Sequence, residues 1–203
     1  IWIRDIGIEV FENAIHPNGG RGIMMRNDKA RVFNNVIEVL ERKINDEYGG
    51  AGSGDGVLGC QAGGTYGIQI EDDGGSLTAN ADMLVYGNDV TAYADECPSK
   101  ALRISGVPVD SVSHICNNTF RAVRKHDPGP GTEAVSGGMA PGVVYLQDNS
   151  FFADDAYIAV DWAGGTNAYF SNCTFSLGSF AGNDFYSLNY ANKSSATGLF
   201  ITD

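Results

Sequence analysis

One degenerate hexapeptide recurs six times along the chain and constrains the fold more than any other feature. Each copy begins with an apolar residue and ends with Ile, Val or Phe, and its fourth position is asparagine in five copies and cysteine in the last. Because asparagine tolerates left-handed backbone and bonds neighbouring amides, each copy predicts two strand ends joined by a tight corner. The fourth positions, to which we assign a structural role, are Asn13, Asn35, Asn88, Asn118, Asn149 and Cys173.

The spacing of the copies indicates a solenoid. Consecutive fourth positions are 22, 53, 30, 31 and 24 residues apart, which is typical of a coil of minimum length that accepts insertions at one corner. Further strands are predicted ahead of the corners at Gly22–Arg26, Gly67–Glu71 and Ala101–Ser105, so each coil has three strands. At Val36–Glu47 a helix is the alternative to the preferred strand and loop. The predicted fold class is all-β, a parallel β-helix of about six coils in one domain, residues 1–203.

The composition of the chain limits the classes of partner that it can bind. Its 43% hydrophobic content can fill a core, and its net charge of -12 argues against a nucleic-acid backbone or an anionic membrane surface as partner. No stretch approaches twenty apolar residues, so no membrane insertion is predicted. The chain opens without a methionine, a signal peptide or a cap over its first coil, which predicts a processed or truncated segment of a longer protein. Self-association is left open.

Strand alternation sorts the leading strands into a core face and an outward face. It predicts one outward row of Met24, Gln69, Arg103 and Ala159, and a second row of Arg26, Glu71, Ser105 and Asp161. On this face carboxylates could do acid–base chemistry and an arginine could bind a uronate carboxylate. The catalytic candidates are Glu71, Arg103 and Asp161. The substrate-binding candidates are Arg26, Gln69, Asp72, Asp73, Trp162, Lys125 and His126. The alternative is that mixed charges only keep an exposed sheet soluble, and that the basic run at 121–127 is a solvated loop.

Two cysteines predict a disulfide. Cys60 and Cys97 lie in the insertions of consecutive coils, hence on one side of the solenoid, and a bond between them would stabilise a secreted protein by about 3–5 kcal/mol. Cys116 and Cys173 are two coils apart, about 10 Å by strand spacing, which is too far for a bond.

Candidate metal ligands are few. The pairs Asp72–Asp73 and Asp154–Asp155 make calcium conceivable, but neither matches a loop with ligand spacing. The histidines His16 and His114 lack companions at metal-ligand spacing. No metal site and no other cofactor is therefore predicted.

The leading strand, the turn and the N-x-[IVF] corner resemble the coils of right-handed parallel β-helices of the pectin-lyase-like superfamily, over about residues 5–178. The resemblance implies an extracellular or cell-surface location and a carbohydrate-active protein that acts on or binds an acidic polysaccharide, as a lyase, epimerase or hydrolase. The catalytic motifs of the polygalacturonases are not found as a set. The alternative function is a non-catalytic surface or adhesin-like module. The small number of coils favours the module, whereas irregular insertions favour a site.

Overall fold

A computed structural model describes fourteen segments of the chain: residues 1–3, 5–17, 20–26, 29–40, 65–70, 82–94, 99–104, 111–124, 133–137, 142–154, 158–162, 167–177, 186–190 and 199–202. In these segments the chain forms strands β1 (Trp2–Ile3), β2 (Glu9–Phe11), β3 (Ala14–Ile15), β4 (Arg21–Met25), β5 (Arg31–Phe33), β6 (Val36–Leu40), β7 (Thr65–Ile70), β8 (Leu84–Tyr86), β9 (Asp89–Ala94), β10 (Ser99–Ile104), β11 (Val112–Cys116), β12 (Thr119–Arg124), β13 (Glu133–Gly137), β14 (Val143–Gln147), β15 (Ser150–Asp154), β16 (Ile158–Trp162), β17 (Asn167–Ser171), β18 (Thr174–Leu177), β19 (Tyr186–Tyr190) and β20 (Leu199–Thr202).

The strands form three parallel sheets that run the length of the molecule. The leading sheet has the order β1-β4-β7-β10-β13-β16-β19, the middle sheet β2-β5-β8-β11-β14-β17-β20 and the trailing sheet β18-β15-β12-β9-β6-β3. Each strand pairs with the strand three places further along the chain, so successive coils stack in register. The predicted all-β parallel β-helix is confirmed. Strands β19 and β20 continue the leading and middle sheets beyond the sixth corner.

Strand positions follow the repeat. The leading strands β4, β7 and β10 overlap the predicted ones, and β13 occupies the coil in which the sequence signal is weakest. At Val36–Leu40 the chain forms a strand, not a helix. Its burial alternates residue by residue, which is the period of a strand with one face on the core.

The core lies between the three sheets. The rings of Phe120, Phe151 and Phe175 come from the last position of three consecutive corners and stack at 5.7 and 5.5 Å between centroids. Phe170 approaches Phe151 edge-on at 5.9 Å. Burying each such ring stabilises the fold by roughly 1.5–3 kcal/mol. The apolar sixth position of the repeat is thus a core position.

The corner itself departs from the expectation in one respect. The residue with left-handed backbone is the third of the hexapeptide, not the fourth: φ is between +49° and +64° at Glu12, Asn34, Gly87, Asn117, Asp148 and Asn172. Glycine and Asn/Asp, which tolerate this conformation, fill five of the six places. The fourth-position asparagine therefore has a different task, which is hydrogen bonding between coils.

Four leading strands, β4, β7, β10 and β13, each turn two successive residues toward the core. A Cβ on Gly22 would lie 2.6 Å from Cγ2 of Ile37, and one on Gly67 would lie 2.3 Å from Cγ1 of Val90, so both positions face core side chains. The residues that follow them, Ile23 and Ile68, are also fully buried in the core. In β10 and β13 the equivalent pairs, Ala101 with Leu102 and Ala134 with Val135, are buried in the core as well. Strict alternation therefore breaks at this point of the four strands, and the residue before each glycine points outward.

Candidate functional site

The fourth positions of the corners form one hydrogen-bonded column. Each asparagine donates from Nδ2 to Oδ1 of the next, at 3.1 Å for Asn13 to Asn35, 2.9 Å for Asn35 to Asn88, 2.9 Å for Asn88 to Asn118 and 3.0 Å for Asn118 to Asn149. Within this column Asn118 also donates to the carbonyl oxygens of Val85 and Cys116. Since Asn118 is 2% exposed, these bonds satisfy groups that water does not reach.

Cys173 ends the asparagine column. Its Sγ donates to the carbonyl oxygens of Leu146 at 3.2 Å and Ser171 at 3.4 Å, which are the equivalents of the two carbonyls that Asn118 bonds. Burial raises the pKa of the Cys173 thiol, so the group keeps its proton and can donate. Cys116 and Cys173 are both free thiols, as expected from their separation.

A second set of polar side chains lies on the outward face of the leading sheet and is called here the polar layer. Its first row is Arg21, Tyr66, Lys100 and Glu133, and its second row contains Gln69, Arg103 and Ser136. Neighbours in a row come from successive coils, about 4.8 Å apart. The described side chains of the layer include three cations and one carboxylate, in a chain whose net charge is -12. The layer is thus a locally positive face of an acidic protein.

Tyr66 lies at the centre of the polar layer. Arg103 donates from Nη1 to the Tyr66 hydroxyl at 3.3 Å, and its Cζ lies 5.2 Å from the ring centroid. The Cζ of Arg21, from the preceding coil, lies 5.8 Å from the same centroid. Tyr66 is 4% exposed. Two guanidinium groups therefore converge on one buried ring, within the range of cation–π attraction.

Lys100 and Glu133 form the ion pair of the layer. Nζ of Lys100 lies 2.7 Å from Oε2 of Glu133, and the side chains are only 18% and 5% exposed. The same Nζ donates to the Ser136 hydroxyl at 3.1 Å. The Glu133 carboxylate neutralises Lys100, so among the described side chains of the layer Arg21 and Arg103 carry the remaining charge.

Gln69 lies beside Arg103 in the second row and is fully buried. Neither its amide nitrogen nor its amide oxygen has a hydrogen-bond partner in the segments that the structure describes. A buried amide without partners costs about 1–3 kcal/mol for each unsatisfied group. Because no described residue offsets this cost, core packing alone does not explain why a glutamine occupies position 69.

The register places several predicted residues differently from the expectation. Asp161 pairs with Ser136, which pairs with Arg103, so Asp161 belongs to the row of Gln69 and Arg103. Its predicted place in the row of Arg26 is therefore wrong. Ala159 is wrongly assigned too: it aligns with the core-facing row that contains Gly67.

Two further candidates lie outside the two rows of the layer. Cζ of Arg26 lies 5.0 Å from the ring of Trp2, on the first coil. Trp162 aligns with Gly137 and, through it, with Ile104, a core residue.

Some candidates lie outside the described segments. These are Glu71, Asp72, Asp73, Lys125, His126, Cys60, Cys97 and Asp155. Of the calcium candidates, Asp154 is described, and it lies 3.7 Å from Nε of Arg121. No group of three His, Cys, Asp or Glu side chains that could hold a metal ion exists in the described part of the chain.

Sequence reasoning missed Arg21, Tyr66, Lys100 and Glu133 as members of the outward face. Strict alternation assigns these positions to the core, because it does not allow two successive inward residues. A signal was nevertheless present: glycine or alanine stands at 22, 67, 101, 134 and 159. A small residue at one fixed place of five consecutive leading strands indicates close packing against the next coil.

In the segments that the structure describes, no helix is long and apolar enough to cross a membrane. Comparisons of the chain with protein-family models, with curated proteins and with solved structures found no match.

Proposed function

We propose that this protein is a carbohydrate-active β-helix of the pectin-lyase-like type that binds an acidic polysaccharide along the leading sheet, outside the cell or at its surface. The observation that carries the proposal is the polar layer, in which successive coils present in register the half-buried side chains of Arg21, Lys100, Arg103 and Ser136. Such rows match a ligand that is itself an extended repeat. Arginine forks bind carboxylates bidentately, and ammonium and hydroxyl groups bond sugar hydroxyls.

Arg103 is the residue on which binding should depend most. It is half-buried, in the second row between Gln69 and Ser136, and it has no carboxylate partner among the described residues. A charged hydrogen bond of this kind is worth about 1.5–3 kcal/mol. We therefore expect Arg103→Ala to weaken binding of an anionic polysaccharide ten- to a hundredfold.

The experiment is a panel of uronate-containing, sulfated and neutral polysaccharides, with dissociation constants measured for the wild type and for Arg103→Ala. Arg121→Ala is the matched control, because Arg121 is an exposed arginine on the trailing sheet that contacts Asp154. Absorbance of unsaturated products, measured on the uronate polymers that bind, tests for a lyase. Equal loss in both variants, or no binding to any anionic polymer, would contradict the proposal.

The first coil favours a second candidate, a non-catalytic surface or adhesin-like module. It exposes large apolar side chains: Ile1 is 53% exposed, Trp2 54%, Ile6 69% and Phe11 46%. Exposed apolar groups gathered in one region are typical of a surface that contacts another protein. Polysaccharide binding without turnover, together with binding to a protein partner through this coil, would support the module.

A further inference from the structure

The outward face of the middle sheet carries two stacks of aromatic rings, one in its first three coils and one in the next three. The first stack is Phe11, Phe33 and Tyr86, with ring centroids 4.9 and 4.8 Å apart. The second stack is His114, Tyr145 and Tyr169, with centroids 5.3 and 5.0 Å apart. Phe11 is 46% exposed and Tyr145 41%, so both stacks reach solvent. We call this surface the aromatic face.

The register gives the aromatic face two rows of side chains, with a row of core residues between them. In coil order, row one is Glu9, Arg31, Leu84, His114, Tyr145 and Tyr169, and row two is Phe11, Phe33, Tyr86, Cys116, Gln147 and Ser171. The first stack therefore fills row two in coils one to three, and the second stack fills row one in coils four to six. The two stacks occupy diagonally opposite quarters of the face.

The aromatic face also carries very little charge. Apart from His114, its two rows contain one acidic and one basic residue, Glu9 and Arg31, and these two pair with each other at 3.2 Å. The other two sheets turn charged side chains outward, such as Arg103 on the leading sheet and Arg121 on the trailing sheet. Enrichment in aromatic residues and depletion of charge characterise the centre of protein–protein interfaces. The face therefore fits a protein partner that is itself uncharged at the contact.

We propose that this partner is a second copy of the chain, and that two copies pack through their aromatic faces as a two-fold dimer. A two-fold axis in the plane of contact, whether it runs along or across the solenoid, brings each stack onto a quarter of the partner's face that has no stack. With the axis across the solenoid, for example, Phe33 lies opposite the partner's Gln147. Such self-complementarity is what an isologous interface requires. Since each copy has a net charge of -12, a nearly uncharged face is also where two copies repel each other least.

The size of the aromatic face sets the expected strength of the dimer. Six strands about 4.8 Å apart give the face a length of about 24 Å, which places the interface among the small ones, below about 1,200 Å². Repulsion between the two acidic copies weakens the dimer further. We therefore expect a dimer in equilibrium with the monomer, with a dissociation constant in the micromolar range. This inference goes beyond the proposed function because it concerns another sheet and requires no polysaccharide.

The test is sedimentation equilibrium of the protein over a range of concentrations. We expect a reversible dimer whose dissociation constant falls as ionic strength rises from about 0.1 M to about 1 M, because salt screens the repulsion. Tyr145→Glu places one carboxylate from each copy in the contact and should raise the dissociation constant at least tenfold. Leu40→Glu is the matched control, since Leu40 is 49% exposed on the trailing sheet, and it should leave the dissociation constant unchanged. If Tyr145→Glu fails to fold by circular dichroism, His114→Glu replaces it.

Each other outcome has a definite meaning. A protein that stays monomeric at every concentration overturns the proposal, and so does equal weakening by Leu40→Glu. Phe11→Glu separates the aromatic face from the exposed first coil, because Phe11 belongs to both. If Phe11→Glu weakens the dimer and Tyr145→Glu does not, the copies meet through the first coil and the proposal is wrong. A dimer that binds no polysaccharide supports this inference and contradicts the proposed function, whereas a monomer that binds an acidic polysaccharide does the opposite.

Discussion

The asparagine column and the polar layer are both stacks of polar side chains from successive coils, but they differ in how completely their groups are matched. In the column, five identical residues bond one another at 2.9–3.1 Å, and Asn118 uses its amide both as donor and as acceptor. In the layer, each coil contributes a different residue. Among the described residues, the Gln69 amide has no hydrogen-bond partner and neither Arg21 nor Arg103 has a carboxylate partner.

This difference shows how residues with a structural role can be distinguished from candidate functional residues in a solenoid. An amide carries a donor and an acceptor, so a repeat of identical amides satisfies itself without any other group. A row of unlike residues in register cannot do this, and its unmatched donors remain available to a ligand. Repetition across coils therefore indicates a structural role, whereas variation at a fixed register position indicates a candidate site.

The largest expected effect is in the column. Asn118→Ala removes the bonds that its amide donates to Val85, Cys116 and Asn149. It also removes the buried acceptor to which the backbone N–H and Nδ2 of Asn88 donate. We expect the free energy of unfolding to fall by about 3–5 kcal/mol, because each stranded group costs about 1–3 kcal/mol. Denaturant unfolding measures the change. Gln147→Ala, at an exposed position near the next corner, should change it by less than about 0.5 kcal/mol. A loss as small at Asn118 would refute the structural role of the column.

In the polar layer, Lys100→Met should be the most destabilising change. It leaves the Glu133 carboxylate, which is 5% exposed, without its ammonium partner. Breaking a buried ion pair costs about 3 kcal/mol or more. The double variant Lys100→Met with Glu133→Gln should recover much of this loss, because no buried charge is then left. Equal stability of the single and double variants in urea unfolding would show that the pair does not act as a unit.

A smaller loss is expected for Gly67→Ala. The added Cβ would lie 2.3 Å from Cγ1 of Val90 and 2.5 Å from the carbonyl oxygen of Ala101, so a strand must move. Overpacking of this kind costs about 1–3 kcal/mol. Thermal unfolding tests it, and a gain in stability would show that position 67 does not face the core as described.

The smallest effect should be a gain. Cys173→Asn restores the amide that the sixth corner lacks, and it adds a side-chain carbonyl oxygen that can accept from Asn149 Nδ2, as Asn149 Oδ1 accepts from Asn118. One additional net hydrogen bond stabilises by about 0.5–1.5 kcal/mol. Cys173→Ala is the control and should destabilise, since the thiol bonds to Leu146 and Ser171 are lost. If the asparagine variant is no more stable than the alanine variant, the column does not extend to this corner.

The fold could be predicted from the sequence because the corner hexapeptide that indicates it occurs six times. Errors in a single corner, such as the placement of the left-handed residue at the fourth instead of the third position, did not alter the period. The site was only partly accessible. Arg103 and Gln69 were found because they follow strict alternation from Leu102 and Ile68. Tyr66 and Lys100 were not found, because the two successive core-facing residues of each leading strand reverse the alternation before that point.

The alignment of residues between neighbouring coils could not be predicted from the sequence either. Insertions of unequal length separate the leading strands, so counting along the chain does not fix which residue of β16 shares a row with Arg103. The pairing of Asp161 with Ser136 required the hydrogen-bond ladder itself. For this reason side-chain rows that cross an insertion are the least reliable part of a solenoid prediction.

The asparagine column has a direction. In each of the four links between Asn13 and Asn149, Nδ2 of the asparagine in the earlier coil donates to Oδ1 of the asparagine in the later coil. The amide dipoles therefore add along the axis instead of cancelling, and the two ends of the column are chemically unlike. Solenoids built on such a column can be fused head to tail with the chain of bonds continuing through the junction, whereas a head-to-head junction would set one carbonyl oxygen against another.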